Sequence, residues 1–104
     1  MKDIEVISDG VTMKGKATKK PVNVDFFRWD GNTEDNRFEL TRWCASFKDN
    51  VWEHFTQDSE GLKVKTLEGT SYNVPKGYII IRGVEGEYYP CEPGIFVKTY
   101  NFKK

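Results

Sequence analysis

Net charge, long apolar runs and histidine are absent from this sequence or nearly so, and each gap removes a class of function. Sixteen Lys and Arg side chains balance sixteen Asp and Glu, so the formal charge at pH 7 is zero. Duplex nucleic acid is gripped through several phosphate-facing cations, and a neutral chain carries no such footprint. An anionic membrane surface is disfavoured for the same reason. No apolar stretch approaches the ~20 residues that span a bilayer. Met1-Lys2-Asp3-Ile4-Glu5 lacks the apolar core of a secretory leader. The two cysteines, Cys44 and Cys91, stand in no metal or redox spacing. They are expected to be reduced thiols in a cytoplasm.

The shortage of histidine bears on catalysis. His54 is the only one, set among aromatics in Trp52-Glu53-His54-Phe55. A zinc site needs three or four converging ligands, and these residue types do not supply them. Neither cysteine has a histidine at motif spacing, and no serine sits in a nucleophile elbow. The carboxylate pairs Glu34–Asp35 and Glu85–Glu87 read as solvated charges beside turns. Gly83-Val84-Glu85-Gly86 links strand to strand, whereas a phosphate loop opens a helix. The expectation is a protein that is not an enzyme, with no catalytic residue, no cofactor and no metal.

What is present is a core. At 104 residues the chain is one domain. A chain of this size buries roughly 65% of its unfolded surface, enough to fold without staples. Aromatics make up 14% of it, and each ring brings a large apolar area. Residues 1–18 read as an N-terminal extension, either a hairpin about Ser8-Asp9-Gly10 or a frayed tail. Lys14 to Lys20 reads as a polar linker.

A strand is predicted from Pro21 to Trp29, with Val22, Val24 and Phe26 on one face and Phe27 and Trp29 on the other. Residues 36–48 read as the one helix. Leu40, Trp43, Cys44 and Phe47 share its inner face, Asn36 is its cap, and Glu39 completes a capping box. Val51–Thr56 reads as a short aromatic strand and Gln57–Gly61 as its turn. Leu62–Leu67 alternates apolar residues with lysine, and Glu68-Gly69 turns into Thr70–Val74 as a hairpin. Tyr78–Arg82 is the most hydrophobic strand and is expected at the centre. Glu87–Tyr89 follows, ended by the two prolines of Pro90-Cys91-Glu92-Pro93. Residues 95–102 close the domain as a helical turn, a strand, or both. The fold class is α+β: one amphipathic helix on a twisted, mostly antiparallel sheet.

Lys19-Lys20-Pro21-Val22 with Phe27-x-Trp29-x-Gly31 resembles the opening of a family of small accessory proteins of tailed bacteriophages and prophages. Thr66-Leu67-Glu68-Gly69 continues the resemblance. So does the run Gly77-Tyr78-Ile79-Ile80 … Gly83-Val84-x-Gly86-Glu87-x-Tyr89-Pro90-Cys91-x-Pro93-x-Ile95-Phe96. The likeness covers residues 19–101. It departs where Lys76-Gly77-Tyr78 stands in place of the family's Gly-Asp-Tyr, and in the first 18 residues. The family is functionally uncharacterised, so the resemblance implies a phage-type accessory protein; the expectation that goes with that setting is a protein of the host cytoplasm acting in host takeover or counter-defence.

Three kinds of action fit. The first is docking on a host or phage protein, or pairing as a homodimer, through an exposed sheet edge and a tyrosine of the Tyr88-Tyr89-Pro90 corner. The second is sequestration of a small nucleotide-type ligand, held by Lys63, Lys65, Arg82 and Arg28 and stacked on Trp29, Tyr78, Tyr88 or Tyr89. The third is a minor virion component. The candidate binding surface is Arg82, Glu87, Tyr88, Tyr78, Lys63, Lys65 and Trp29. Against it stands the reading of Lys63 and Lys65 as the solvent face of an amphipathic strand. Arg82 would then pair with a neighbouring carboxylate. Tyr89, Pro90 and Cys91 read as a packing corner.

Overall fold

The computed structural model describes residue 16 and residues 21–101. The Ser8-Asp9-Gly10 hairpin or tail lies outside the described residues, as does the 14–20 linker apart from exposed Lys16. The rest is an α+β fold in the order β1 (Asp25–Arg28), α1 (Glu34–Ala45), α2 (Val51–His54), β2 (Phe55–Asp58), β3 (Gly61–Lys65), β4 (Ser71–Val74), β5 (Ile79–Arg82), β6 (Tyr88–Cys91) and α3 (Pro93–Thr99).

Two three-stranded antiparallel sheets replace the single sheet expected, in the orders β1-β5-β6 and β2-β3-β4. The division follows from α1 and α2, which separate β1 from β2 in the chain and so free β1 to pair with β5. The β2-β3-β4 meander needs only tight turns.

The helix starts earlier than the sequence predicts. Thr33, not Asn36, is its N-cap, and the Thr33 hydroxyl accepts from the Asn36 N–H at 3.1 Å. Glu34 and Asp35 then fall in the first turn, where carboxylates oppose the helix dipole. Asn36 instead donates through Nδ2 to the Gly31 carbonyl at 3.1 Å, tying the helix to the turn before it. The inner face is as expected: Leu40 and Cys44 are buried, and Trp43 packs against the same cluster. Past Ala45, Lys48 takes a left-handed φ of 65°. The Asp49 N–H then returns to the Cys44 carbonyl at 3.1 Å. This termination aims the Asp49 side chain inward.

Residues 51–54 are helical rather than a strand. Asn50 caps the short turn by accepting from the Trp52 N–H at 3.1 Å. Side-chain aromaticity favours strands, yet an Asx cap at its head overrides that preference over one turn. The strand begins only at Phe55 and runs through Gln57 and Asp58, which the sequence had assigned to a turn. Pro90 is the other correction: it lies inside β6, opposite Ile80. The Gly83 N–H donates to the Glu87 carbonyl at 2.8 Å, so that pair is hydrogen-bonded. Alternation along the antiparallel ladder makes Ile80–Pro90 a non-hydrogen-bonded pair. The missing proline N–H therefore faces the outer edge, where none is needed. Residues 93–99 resolve to a helix with Pro93 in its first turn and Glu92 as its cap.

Strand β5 is central and buried on both faces. Ile80 and Tyr88 belong to the larger core, which Trp29, Leu40, Cys44, Val51, Phe55, Leu62, Val64 and Val74 complete between α1, α2 and the second sheet. Ile79 and Ile81 face the other way, toward Phe96 of α3, with Phe26, Tyr89 and Tyr100 around them. Leu62 and Val64 point inward, as the alternation with lysine predicts. Among the described residues no helix is long and apolar enough to cross a membrane.

Candidate functional site

Most of the residues that the sequence offers to a ligand are committed to the fold. Trp29 is 2% exposed and Tyr88 is 1% exposed, so neither ring is a stacking surface, contrary to expectation. The register explains Tyr88: it pairs with Arg82 on the core-facing side of β6, which turns its neighbour Tyr89 toward the half-buried face under α3. Tyr78 is partly buried against the larger core. Lys63 is bound by Asp58 at 2.9 Å and Glu60 at 3.2 Å. The Asp58 partnership, then Glu60, lifts the ammonium above its ordinary pKa, and Lys63 in turn holds Asp58 below the usual carboxylate range. Arg28 pairs with Asp30 at 3.1 Å. Lys65 stays exposed.

Arg82 sits beneath the end of α1. Its guanidinium lies 4.2 Å from the centre of the Phe47 ring and 5.9 Å from that of Tyr88, and Nε is 3.5 Å from Oδ2 of Asp49. Partial burial opposes its charge, yet Tyr88 and Asp49 raise its pKa on balance. Burial likewise pushes the Tyr88 hydroxyl well above its usual range, helped by its hydrogen bond to Asp49. Cys44, fully enclosed here, is pushed up to about 11, chiefly by burial. His54 closes the cluster with its ring 4.9 Å from that of Tyr88. A cationic, acidic and thiol set therefore converges, but its groups face one another and the core. Among the described residues no three His, Cys, Asp or Glu side chains are grouped to hold a metal ion.

The open site lies on the other side of Tyr88. The β3–β4 and β5–β6 connections are built alike. In the first, Thr66 N–H donates to Thr70 O at 3.0 Å and Gly69 N–H to Thr66 O at 2.9 Å; in the second, Gly83 N–H donates to Glu87 O at 2.8 Å and Gly86 N–H to Gly83 O at 3.0 Å. Each is a three-residue loop closed by a glycine at positive φ, 88° for Gly69 and 83° for Gly86. The loops read Leu67-Glu68-Gly69 and Val84-Glu85-Gly86, so each raises an apolar residue and then a glutamate. Leu67 is 70% and Val84 68% exposed. At Gly83 a Cβ would collide with the Glu87 carboxylate, which folds back to accept the Glu85 N–H at 3.0 Å.

Between the loops run two adjoining hollows that share Thr66, Leu67, Glu87 and Tyr88. One, of about 430 Å³, is walled by Leu67, Glu68, Tyr72, Tyr89 and Pro90. The other, of about 390 Å³, is walled by Glu53, His54, Lys65, Glu85 and Gly86. Tyr72 is 46% exposed at its rim. Of the expected surface only exposed Lys65 and half-buried Glu87 are on the walls here, and Tyr88 contributes to the floor. Leu67, Glu68, Tyr72 and Glu53 were not singled out from the sequence. The signal for two of them was the repeated apolar-Glu-Gly triplet at 67–69 and 84–86, which marks twin loops. No family model, no curated protein and no solved structure matches this chain.

Proposed function

We propose that this is a non-enzymatic accessory protein of phage type that acts in the host cytoplasm by docking on a host or phage protein. The observation that supports the reading is the twin-loop groove, where exposed Leu67 and Tyr72 border half-buried Tyr89 and Pro90. Apolar and tyrosine side chains beside a concave surface are the usual anchors of a protein interface. The phage setting rests on the sequence resemblance alone.

Nucleotide sequestration ranks below docking, because the side chains it needs are engaged elsewhere. Trp29 and Tyr88 are buried, and Lys63, Arg28 and Arg82 are each paired with carboxylates. A minor virion role draws no support from a particular side chain.

Affinity capture at low salt, run side by side with the unaltered chain and with Leu67→Ser and Tyr72→Ser, tests the reading. The expected result is a protein retained by the unaltered chain and lost from both variants, with the fold unchanged by circular dichroism. A saturable rise in melting temperature with a mono-, di- or cyclic nucleotide, together with capture indifferent to both substitutions, would reverse the ranking.

A further inference from the structure

We infer that the groove receives a basic segment of the partner, an arginine or lysine beside a large apolar side chain; this rests on the docking reading. The two hollows differ in chemistry. The first offers Leu67, Tyr72, Tyr89 and Pro90 with two carboxylates, Glu68 and the shared Glu87, and suits an aliphatic or aromatic side chain. The second holds Glu53, Glu85 and Glu87 against one lysine, Lys65, and suits a cation. Four glutamates and one lysine thus line the groove in a chain whose total charge is zero.

Among the described residues no cation is paired with those glutamates. The ion pairs of the described residues join Arg28 to Asp30, Lys63 to Asp58 and Glu60, and Arg82 to Asp49, and none includes Glu53, Glu68, Glu85 or Glu87. Glu68 accepts a hydrogen bond from the Thr66 hydroxyl at 2.9 Å, and Glu87 one from the Glu85 N–H, which fixes their orientation but leaves their charge. The twin loops put Glu68 and Glu85 at the same position of two like turns, one on each wall. A guanidinium in the second hollow meets Glu53, Glu85 and Glu87, while the apolar side chain beside it meets Tyr72 and Tyr89 in the first, with Glu68 at its edge. Anionic ligands are repelled by the same arrangement. The local field also favours encounter with a basic partner at low ionic strength.

The test is a fluorescence-anisotropy titration of the full chain with three short peptides of equal apolar content. The first carries arginine between leucine and tyrosine, the second glutamate, the third serine. Amide shifts at Leu67, Glu68, Gly86 and Glu87 report where each peptide sits. The arginine peptide should saturate, shift those amides and weaken steeply as salt is raised. Glu68→Gln and Glu85→Gln, both on exposed turns, should each weaken it by ~2–5-fold. Lys65→Gln should tighten it. Equal binding of the glutamate or serine peptide at the same amides would overturn the charge inference while leaving docking intact. Shifts at these amides that grow with protein concentration alone would overturn it in favour of a second copy of this chain. If no peptide moves them and capture ignores Leu67→Ser, docking at this groove is itself wrong.

Discussion

The Tyr88 hydroxyl donates to Oδ2 of Asp49 at 2.7 Å, joining the last strand of the first sheet to the link between α1 and α2 across 39 positions of sequence. The same oxygen faces Nε of Arg82 at 3.5 Å. Asp49 is thus the acceptor for a buried phenol and the counter-charge for a guanidinium that itself stacks on Phe47. Two segments distant in the chain, the α1–α2 link and the β5–β6 hairpin, meet at one carboxylate.

Removing the phenol donor should be felt as a buried polar loss. Tyr88→Phe keeps the ring among Trp43, Phe55 and His54 but leaves the carboxylate one donor short. A loss of ~1–3 kcal/mol is expected from urea unfolding. Combined with Asp49→Asn, the pair should be non-additive by at least ~0.5 kcal/mol, because both changes act on one hydrogen bond. Strict additivity would mean that the two groups do not interact in solution.

Trp43 tests the helix face. Its ring meets Phe27 and Phe47 at 5.5 Å and Tyr88 at 5.7 Å between centroids. Trp43→Ala opens a cavity where α1 crosses the first sheet and should cost ~3 kcal/mol or more. Equilibrium denaturation measures it, and a near-neutral value would contradict the packing.

Cys44 predicts a stability change at alkaline pH. Its thiol titrates near 9.0 when unfolded and is pushed up to about 11 in the fold, mainly by burial. Between those values the unfolded chain has lost the proton that the native chain still holds. Stability is therefore fully present below pH 9 and falls as pH rises toward 11. The full loss is on the order of 3 kcal/mol, two pH units at about 1.4 kcal/mol each, and Cys44→Ala should flatten the pH dependence measured by denaturant midpoint. In the same vein, iodoacetamide should label half-buried Cys91 before Cys44, with the second adduct appearing only on unfolding.

The parts of the fold that are legible in the sequence are those in which one periodicity speaks alone. Leu62 and Val64 alternate with lysine, and Leu40, Trp43 and Cys44 repeat at helical spacing; both patterns give the observed inner faces, whereas Phe47, expected on the same helix face, lies past the end of α1 at Ala45. Residues 51–54 defeat this reading, because a four-residue turn shows no full period and its Asn50 cap outweighs the β preference of its aromatics. The candidate site was less legible for a related reason. Its members come from two loops that are remote in sequence and are brought side by side only when β6 crosses β3 and β4. Tyr88 and Tyr89 show the limit most plainly. Adjacent strand residues must face opposite ways, but the sequence does not say which of them faces Asp49.

Pro90 and Ile80, directly opposed in the ladder, should respond very differently to the same substitution. Ile80 is fully buried between α1 and the second sheet, and truncation to alanine should cost ~2–5 kcal/mol. Pro90→Ala restores an N–H, but at a position whose hydrogen-bonding direction points away from β5. No ladder bond can form, so nothing is gained in the native state, while the unfolded chain becomes more flexible. The expected effect is a loss of no more than ~1 kcal/mol. A clear stabilisation on Pro90→Ala, read from the same denaturant midpoints, would mean that the restored N–H finds the β5 carbonyls. The register of β6 would then be shifted by one residue, and Tyr89 rather than Tyr88 would be the partner of Asp49.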